Sequence, residues 1–445
     1  MVKISILILS PHNNDEEIFM LTPKENELLT HVMPGDPMGN LMRQHWTPVC
    51  LLEEIAENDG TPVLVEALGS RYVAFRDTEG RVGLLDELCP HRLASLVFGR
   101  NEDCGLRCLY HGWKFDVEGN AVAMASEPPE TEKSMCSKVK HKAYKTVEWG
   151  GFLWAWLGEE GKEPEFQRPA FAPNEDVQVS ILKIRIPANW AQVLEGQIDS
   201  AHSSSLHSSD MVPAKVDSAA ADDKSWYRPS TDKSPRMQAA RTDYGFQYVA
   251  IRRPISNAAS HDYLRITQYV APYYALIPPN TSYNVAAVIV PIDNENSNFH
   301  FIAWGNPEST PSTKDWREFT HAVPGKDVDP ITWATVGNME NRFRQDRVKM
   351  KEGDFTGIPG IPNQDIAMWV SMGSIVNRTD DILGASDLAI VEFRRLMVEA
   401  AQNVADGKAA IGTGTSNCQP HIASFQGVVP KESDWRELWK DNLIN

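Results

Sequence analysis

Two cysteines and two histidines in paired positions constrain this chain more than any other feature. The first pair is the segment Cys89-Pro90-His91 and the second is Cys108-Leu109-Tyr110-His111, so all four side chains lie within residues 89–111. Two Cys and two His can hold a structural zinc ion in tetrahedral geometry. They can also hold a 2Fe-2S cluster in which two thiolates bind one iron and two imidazoles bind the other. The ligand types alone leave both kinds of site open.

The residues around these ligands favour the cluster over zinc. Cys89-Pro90-His91-Arg92 and Cys108-Leu109-Tyr110-His111-Gly112-Trp113-Lys114 resemble the two binding loops of the Rieske family of iron-sulfur proteins. The resemblance implies that Cys89, His91, Cys108 and His111 bind a Rieske 2Fe-2S cluster, which accepts one electron and passes it on. A Rieske electron carrier and a zinc-stabilised binding module are the alternative functions; a carrier would need only this part of the chain.

Short strands separated by turns predict a small antiparallel β domain around these loops. Pro62 to Ala67, Arg71 to Arg76 and Arg81 to Asp86 read as strands, with residues 77–80 as a hairpin loop. A last strand, from Gly151 to Gly158, is apolar on both faces and must be covered on both sides. The charged and Pro-rich stretch from Glu159 to Pro173 has the composition of a linker. We therefore place a domain boundary after residue 160.

The rest of the chain mixes strand-like runs with two predicted helices, near residues 189–207 and 386–405. We expect Ser386 to cap the second helix and Gly407 to follow its end. The predicted fold class is α+β. Residues 1–20 are expected to form a disordered extension, residues 21–160 the 2Fe-2S domain with an N-terminal helical segment, and residues 161–445 a catalytic domain with an antiparallel sheet and flanking helices of the helix-grip type.

Charge and hydropathy exclude several classes of partner. The net charge of -17 argues against nucleic acid and anionic membranes, because both require clustered Lys or Arg. No apolar run reaches the roughly 18 residues that a membrane-spanning helix needs. The chain carries no convincing secretion signal, so we expect a cytoplasmic protein.

A second metal motif runs from Asn189 to His207. His202 and His207 are five residues apart, which turns their rings about 140° apart on a continuous helix, so they can converge only if the helix distorts or ends. Taken alone, the following serines suggest an ordinary frayed turn. Together with the cluster loops, however, Glu195, Asp199, His202 and His207 resemble the iron-binding signature of Rieske non-haem iron ring-hydroxylating oxygenases.

The resemblance implies a mononuclear Fe(II) held by His202, His207 and one downstream carboxylate, which leaves open positions for O2 and substrate. Asp365 fits the family's third ligand best, ahead of Asp354, Asp380 and Asp381. The resemblance gives Asp199 a different, catalytic role. Its carboxylate would bridge His202 to cluster-bound His91 or His111 of a neighbouring subunit, which implies a homotrimer or a hexamer of stacked trimers.

Within the family, the chain most resembles the oxygenases of phthalate and related aryl carboxylates. A benzene dicarboxylate buried in an apolar pocket needs cations, ideally arginines in bidentate geometry. Arg228 and Arg265 resemble the positions that bind carboxylates there, while Arg252 and Arg253 compete with them. An ordinary surface ion pair of Arg265 with Asp262 is the alternative interpretation.

The reaction implied is cis-dihydroxylation of phthalate to its 4,5-cis-dihydrodiol, with O2 as co-substrate. A Rieske monooxygenase or O-demethylase, and a phenoxybenzoate-type dioxygenase, are the alternative functions. No Gly-rich dinucleotide fingerprint is present. NADH is therefore expected to act through a separate flavin and iron-sulfur reductase that supplies the electrons.

Overall fold

The computed structural model describes residues 20–214, 226–278, 282–413 and 421–443. The predicted disordered extension, apart from Met20, lies outside the described residues. The described chain divides into two compact units, a smaller one of residues 33–35 and 42–166 and a larger one that contains the rest. The predicted α+β fold class is confirmed.

Two short helices come first, α1 (Pro23–Thr30) and α2 (Pro37–Met42). Helix α1 begins with a capping box, because the Thr22 hydroxyl accepts from the backbone N–H of Glu25 and the Glu25 carboxylate accepts from the backbone N–H of Thr22. It belongs to the larger unit, where the carbonyl oxygen of Leu29 accepts from the indole N–H of Trp190 at 3.2 Å.

The smaller unit is built from short antiparallel strands. Its strands and helix are β1 (Trp46–Leu51), β2 (Val63–Ala67), β3 (Ser70–Arg76), β4 (Val82–Asp86), β5 (Arg100–Glu102), β6 (Gly105–Arg107), β7 (Trp113–Phe115), β8 (Ala121–Met124), α3 (Pro129–Cys136), β9 (Thr146–Trp149) and β10 (Phe152–Trp156). In the described chain they form sheets of order β1-β10-β9, β2-β3-β4 and β5-β6-β7-β8. The three predicted strands before residue 87 correspond to β2, β3 and β4, and every residue of β10 is buried, as predicted.

The core of the smaller unit holds the starts of the two loops that carry the Cys and His pairs. Phe75, Leu85, Phe115 and other buried apolar side chains form one cluster that also contains Cys89 and Cys108. Each Cys therefore anchors the base of its loop in the core, while the residues that follow reach outward.

The larger unit contains one wide antiparallel sheet and a short parallel pair. Its strands are β11 (Gln178–Ile186), β12 (Met211–Pro213), β13 (Trp226–Arg228), β14 (Arg236–Thr242), β15 (Gly245–Arg252), β16 (His261–Val270), β17 (Tyr274–Ile277), β18 (Asn284–Pro291), β19 (Ser297–Gly305) and β20 (Phe425–Pro430). Among the described residues the sheet order is β11-β19-β18-β17-β16-β15-β14, with β20 paired to β16 and β12 paired to β13.

Helices cover this sheet. They are α4 (Trp190–Gln197), α5 (Thr313–Phe319), α6 (Arg347–Lys351), α7 (Ile361–Ser371), α8 (Leu388–Ala405) and α9 (Trp435–Leu438). The long helix α8 packs on the sheet through Phe393, whose ring lies 5.3 Å from that of Tyr269, and Phe393 also contacts Trp190 of α4. This packing fixes α4, which carries the start of the second metal motif.

Two helix predictions need correction. The helix expected over 189–207 ends at Gln197, and only a short 3-10 turn, His202–Ser204, follows it. Ser386 does not cap α8, because it lies inside a 3-10 turn, Ala385–Asp387, that leads into the helix. Gly407 does follow the end of α8, with φ +81°. Among the described residues, none of the helices combines the length and the apolar character needed to cross a bilayer.

Candidate metal centres and substrate cavity

The two loops of the smaller unit close in the same way. Each loop begins at its Cys, which is counted here as the first residue. The backbone N–H of the fifth residue donates to the carbonyl oxygen of the Cys, and the backbone N–H of the Cys donates to the carbonyl oxygen of the sixth residue. These distances are 2.9 and 2.9 Å in the loop from Cys89 and 3.0 and 2.8 Å in the loop from Cys108. The fifth residue is left-handed in both, Leu93 with φ +59° and Gly112 with φ +75°. The matching turns present one Cys and one His each.

The donor set of these loops fits a 2Fe-2S cluster. Cys89 and Cys108 are buried, and the rings of His91 and His111 lie 4.4 Å apart. In the described chain the Nδ1 atom of His91 is buried without a hydrogen-bond partner, which suits a metal ligand and costs free energy otherwise. Trp113 stacks on His91 at 4.5 Å and holds that ring. Two sulfurs and two imidazoles from two loops match the ligands of a Rieske centre.

The Cys89 thiol needs a positive partner to ionise. Burial raises the pKa of Cys89 to about 11, and the backbone N–H groups of His91 and Arg92, which donate to the sulfur, offset part of that rise. A bound iron would supply the positive charge that makes the thiolate stable, as it does for metal-binding cysteines in general. The same N–H groups would then stabilise the cluster sulfur charge.

The two histidines of the second motif come together because α4 ends at Gln197, before either of them. After the helix, the Asp199 carboxylate accepts from the backbone N–H groups of Ala201 at 2.7 Å and His202 at 3.4 Å, which starts the turn that carries His202. The Nε2 atoms of His202 and His207 then lie 3.1 Å apart. The distortion that convergence required is therefore a complete break in the helix.

Helix α7 brings the predicted third ligand to the same point. Asp365 Oδ1 lies 3.5 Å from His202 Nε2 and 3.1 Å from His207 Nε2. The ligand atoms of these three residues all lie within 4.8 Å of one another, which fits a single metal ion. Two imidazoles and one carboxylate match the facial set of non-haem Fe(II) sites.

The competing aspartates have other partners. Asp354 accepts from the backbone N–H of Thr356, Asp380 accepts from the side chain of Asn377, and Asp381 pairs with Arg394. None of these three contributes to the group of ligand atoms described above.

Asp199 lies beside the group formed by His202, His207 and Asp365 but is not part of it. Its Oδ2 is 3.4 Å from His202 Nδ1, on the side of the ring away from Asp365. Burial alone would raise the pKa of Asp199, but hydrogen bonding to His202 and to backbone N–H groups lowers it below its ordinary value. Burial would likewise lower the pKa of His202, whereas Asp199 and Asp365 raise it. Each of the two side chains therefore favours the charged form of the other.

A cavity of about 610 Å³ opens onto His202, His207 and Asp365. Its wall is mostly apolar and aromatic and includes Trp226, Tyr248 and Phe301, together with the buried guanidinium of Arg265. A mostly apolar wall with a few convergent polar groups is typical of a small-molecule site.

Two further arginines support the turn that lines this cavity. Arg228 donates to the hydroxyls of Ser203 and Ser204 at 2.7 and 2.8 Å. Arg252 donates to the carbonyl oxygen of Ser200 at 2.7 Å. Among the described residues, no carboxylate pairs with Arg228 or Arg252. Arg228 itself is not on the cavity wall, whereas Ser200 and Ser203 are.

These arginines form a buried cationic group. Burial, with the positive charges of Arg265 and Arg252, lowers the pKa of Arg228 to about 9, and burial with Arg265 lowers that of Arg252 to about 10. Since arginine stays protonated in proteins, the lowered values reflect the cost of holding three cations together. The surface-pair alternative for Arg265 is wrong, because Arg265 is buried and Asp262 pairs with Arg236. Arg253 contributes a backbone N–H to Asp232.

Comparisons with known proteins match both parts of the chain. The Rieske [2Fe-2S] domain model matches residues 45–141, and the model of the LigXa C-terminal domain-like family matches residues 155–444. Phthalate 4,5-dioxygenase oxygenase subunit of Pseudomonas putida is 60% identical over 94% of each chain. The 3-chlorobenzoate-3,4-dioxygenase oxygenase subunit of Comamonas testosteroni is 32% identical over 95% of this chain and 99% of its own.

The chain belongs to the Rieske non-haem iron ring-hydroxylating dioxygenases. Among solved structures, NdmB of Pseudomonas putida CBB5 has the same fold, with a TM-score of 0.57 at 17% identity over 82% of this chain and 93% of its own. The predicted family and cofactors are confirmed: this Rieske oxygenase uses a 2Fe-2S cluster and a mononuclear iron, and its electrons come from a separate protein.

Two residues that stabilise the iron motif, Arg378 and Arg394, were not predicted from the sequence. Glu195 of the signature does not join the metal group; its Oε1 pairs with the Nε of Arg378 and of Arg394, each at 2.8 Å. Both arginines are buried, and Arg394 also pairs with Asp381. The signal that could have found them is Glu195 itself, since a carboxylate on a buried helix requires a cation.

Proposed function

We propose that this Rieske dioxygenase cis-dihydroxylates phthalate to the 4,5-cis-dihydrodiol. The observation that carries the proposal is the buried arginine group beside the cavity, in a chain 60% identical to a phthalate 4,5-dioxygenase subunit. Three buried cations repel one another, so a dianionic ligand would lower the energy of the site. A neutral hydrocarbon would leave that repulsion in place.

The substrate-binding residues proposed are Arg265 and Arg228. Arg265 lines the cavity and can meet one carboxylate directly. Arg228 lies behind Ser203, which lines the cavity, and donates to the Ser203 hydroxyl. Its positive charge would therefore act on a bound carboxylate through the Ser203 hydroxyl, or directly if the turn moved on binding. A dicarboxylate held at this end would present its ring toward His202, His207 and Asp365.

The metal ligands proposed are Cys89, His91, Cys108 and His111 for the cluster and His202, His207 and Asp365 for Fe(II). Iron bound by the last three would supply O2 activation. The protein side chains orient the ring, exclude water through the aromatic wall and keep both imidazoles pointing at one place. Asp199, as the proposed catalytic residue, would hold His202 and connect it to an incoming electron.

We propose a homotrimer, alone or stacked as a hexamer, in which Asp199 meets the cluster loops of a neighbouring copy. A second cavity of about 1000 Å³ exposes Asp199 and His202, and the apolar side chains Phe355, Met368 and Met372 surround it. The cluster loops expose apolar side chains of their own, Leu93, Leu109 and Tyr110. An exposed apolar surface beside a functional group is typical of an interface.

Electrons are proposed to come from NADH through a flavin and iron-sulfur reductase, in the cytoplasm. The oxygenase chain lacks a Gly-rich dinucleotide fingerprint, so the nicotinamide must be oxidised elsewhere.

A single turnover with labelled O2 tests the substrate and the reaction together. Reduced protein, phthalate and ¹⁸O2 are expected to yield a dihydrodiol with both atoms labelled, detected by mass spectrometry. One labelled atom would instead indicate a monooxygenase or demethylase. Cluster oxidation without a phthalate product would direct the search to phenoxybenzoate and other aryl carboxylates.

Replacing Arg265 tests the carboxylate site. Arg265→Gln removes one charge-assisted pair, worth about 1.5–3 kcal/mol, so KM for phthalate is expected to rise about 10–100-fold. Arg253→Gln is the matched control, because Arg253 lies outside the cavity wall and its KM should be unchanged. Equal KM values for the two variants would contradict the assignment.

Complementation tests the trimer. Cys108→Ser removes a cluster ligand and Asp365→Asn an iron ligand, so neither homo-oligomer should turn over. Co-expressed mixed oligomers are expected to regain activity, because an intact cluster of one copy then faces an intact iron site of another. Separately purified variants mixed without subunit exchange should stay inactive. Inactive mixed oligomers would contradict electron transfer between subunits.

A further inference from the structure

The ring nitrogen of His207 that faces away from the metal group has a partner of its own. His207 Nδ1 lies 2.7 Å from Gln364 Oε1, and both side chains are buried. Gln364 immediately precedes Asp365 on α7. The same helix turn therefore carries a metal ligand and a group in contact with a second ligand.

The orientation of the Gln364 amide follows from its other contacts. Its Nε2 lies 3.0 Å from Asp210 Oδ2 and 2.9 Å from the carbonyl oxygen of Ile358. A carboxylate and a carbonyl can only accept, so both amide hydrogens are used on that side. Oε1 must then face His207, where it can only accept.

An acceptor at this position determines the tautomer of His207. The proton must sit on Nδ1 to be donated to Gln364, which leaves Nε2 unprotonated. Nε2 is the atom that lies 3.1 Å from both Asp365 Oδ1 and His202 Nε2. The lone pair of His207 is thereby directed to where a metal would bind.

The two histidines are supported by different chemistry. His202 has the charged Asp199 beside its Nδ1, at the exposed side of the site. His207 has a neutral amide that is itself anchored at two points. A neutral, doubly anchored acceptor fixes the ring without adding a second negative charge next to Asp365.

We propose that Gln364 is a positioning residue that holds His207 in its iron-binding tautomer and orientation, with Asp210 and Ile358 O acting through it. The inference rests on the proposed Fe(II) site of His202, His207 and Asp365. Groups that orient a ligating histidine typically contribute about 10–100-fold to metal affinity.

The test is Fe(II) affinity of the full chain with its cluster in place and its mononuclear iron removed. Gln364→Met keeps the size of the side chain and removes the strong acceptor, so the affinity, measured by competition with a chelator, is expected to fall about 10–100-fold. In Co(II)-loaded protein, the visible d–d bands should shift, because the ring orientation of one ligand changes.

Gln192→Met is the matched control. Gln192 is also a buried glutamine that donates twice to backbone carbonyls, those of Trp369 and Gly373, and accepts from the backbone N–H of Val376. It contacts none of the three proposed ligands through these bonds. The control should therefore cost stability without changing Fe(II) affinity or the Co(II) spectrum.

A rescue separates orientation from general damage. Gln364→Glu combined with Asp210→Asn retains an acceptor for His207 and supplies one donor to the new carboxylate, but it leaves the carbonyl oxygen of Ile358 without a donor. The double variant should therefore recover part of the affinity that Gln364→Met loses. Wild-type affinity and Co(II) bands in Gln364→Met would overturn the inference.

His207→Ala distinguishes the inference from the site on which it rests. If His207→Ala binds Fe(II) like the wild type, the proposed iron site is wrong. If His207→Ala loses the iron while Gln364→Met retains it, the site stands and only the role of Gln364 is wrong.

Discussion

The cluster loops and the iron group bring their proposed metal ligands together in opposite ways. The proposed cluster ligands lie within residues 89–111, on two loops that close by matching backbone hydrogen bonds. The iron group joins the broken end of α4 to α7, across more than 150 residues of sequence. A local ligand set depends mainly on its own turns, whereas a distant one depends on everything that holds its elements together.

The largest expected effect separates the two regions completely. Cys108→Ser should abolish the visible absorption of the cluster and leave the mononuclear site able to bind Fe(II). Asp365→Asn should lower Fe(II) affinity by more than the roughly 100-fold typical of a supporting residue, because it changes a proposed ligand itself, and should leave the cluster spectrum intact. Metal analysis and absorption spectra of both variants measure this.

If either variant lost both the cluster and the mononuclear iron, the two metal sites would not be independent of each other. That result would mean that the two units fold as one cooperative block.

A smaller effect concerns the buried acids that support each region. Glu195→Gln leaves Arg378 and Arg394 buried with less compensating charge, which should destabilise the larger unit by about 3–5 kcal/mol. In the smaller unit, Glu87 is also buried, but its partner Arg71 is exposed and can be hydrated. Glu87→Gln should therefore cost no more than about 1 kcal/mol. Denaturant unfolding of both variants measures the difference, and equal costs would refute it.

The pH dependence of the larger unit follows from the same contacts. Burial would raise the pKa of Glu195, but the two guanidinium groups lower it below its ordinary value. A lowered folded-state pKa gives stability that is present above the unfolded pKa and is lost as the pH falls through the folded value. Acid should therefore destabilise the wild type more than Glu195→Gln, which urea titrations at several pH values would detect.

Two left-handed glycines provide the last pair of variants. A Cβ at Gly112, in the second cluster loop, would lie 2.8 Å from the Cβ of Ala125, whereas a Cβ at Gly407 meets nothing within 4 Å. Gly407→Ala should cost about 1–2 kcal/mol for its positive φ alone. Gly112→Ala should cost more and should weaken cluster retention, which absorption during thermal unfolding would show. A lower cost at Gly112 would contradict the close packing of that loop.

Sequence predicted local structure well wherever the signal was local. The strands β2, β3 and β4 follow the alternation and turn residues that predicted them, and β10 is buried on both faces. The two histidines of the second motif were expected to converge only through a break in their helix, and α4 does end before them. Ser386, a good capping residue by type, lies in a turn before α8, because tertiary packing sets where that helix begins.

The remaining features depend on partners that are remote in sequence. Asp365 could be chosen among four aspartates by resemblance, but no spacing rule connects it to His202. The ion pairs of Glu195 with Arg378 and Arg394, and the contact of Gln364 with His207, join residues more than 150 positions apart. Arg228 is buried as the carboxylate hypothesis required, yet it donates to the serine turn after His202, a contact that no local pattern in the sequence predicts.

The separation of His207 from Asp365 also has a consequence in time. Ribosomes add about 5–20 residues per second, so the four proposed cluster ligands appear within a few seconds of one another, while Asp365 follows His207 by roughly 8–30 seconds. Until then the nascent chain contains both histidines but not Asp365, and Glu195 still lacks both of its arginines. The cluster loops can therefore be complete before the third proposed iron ligand has been synthesised.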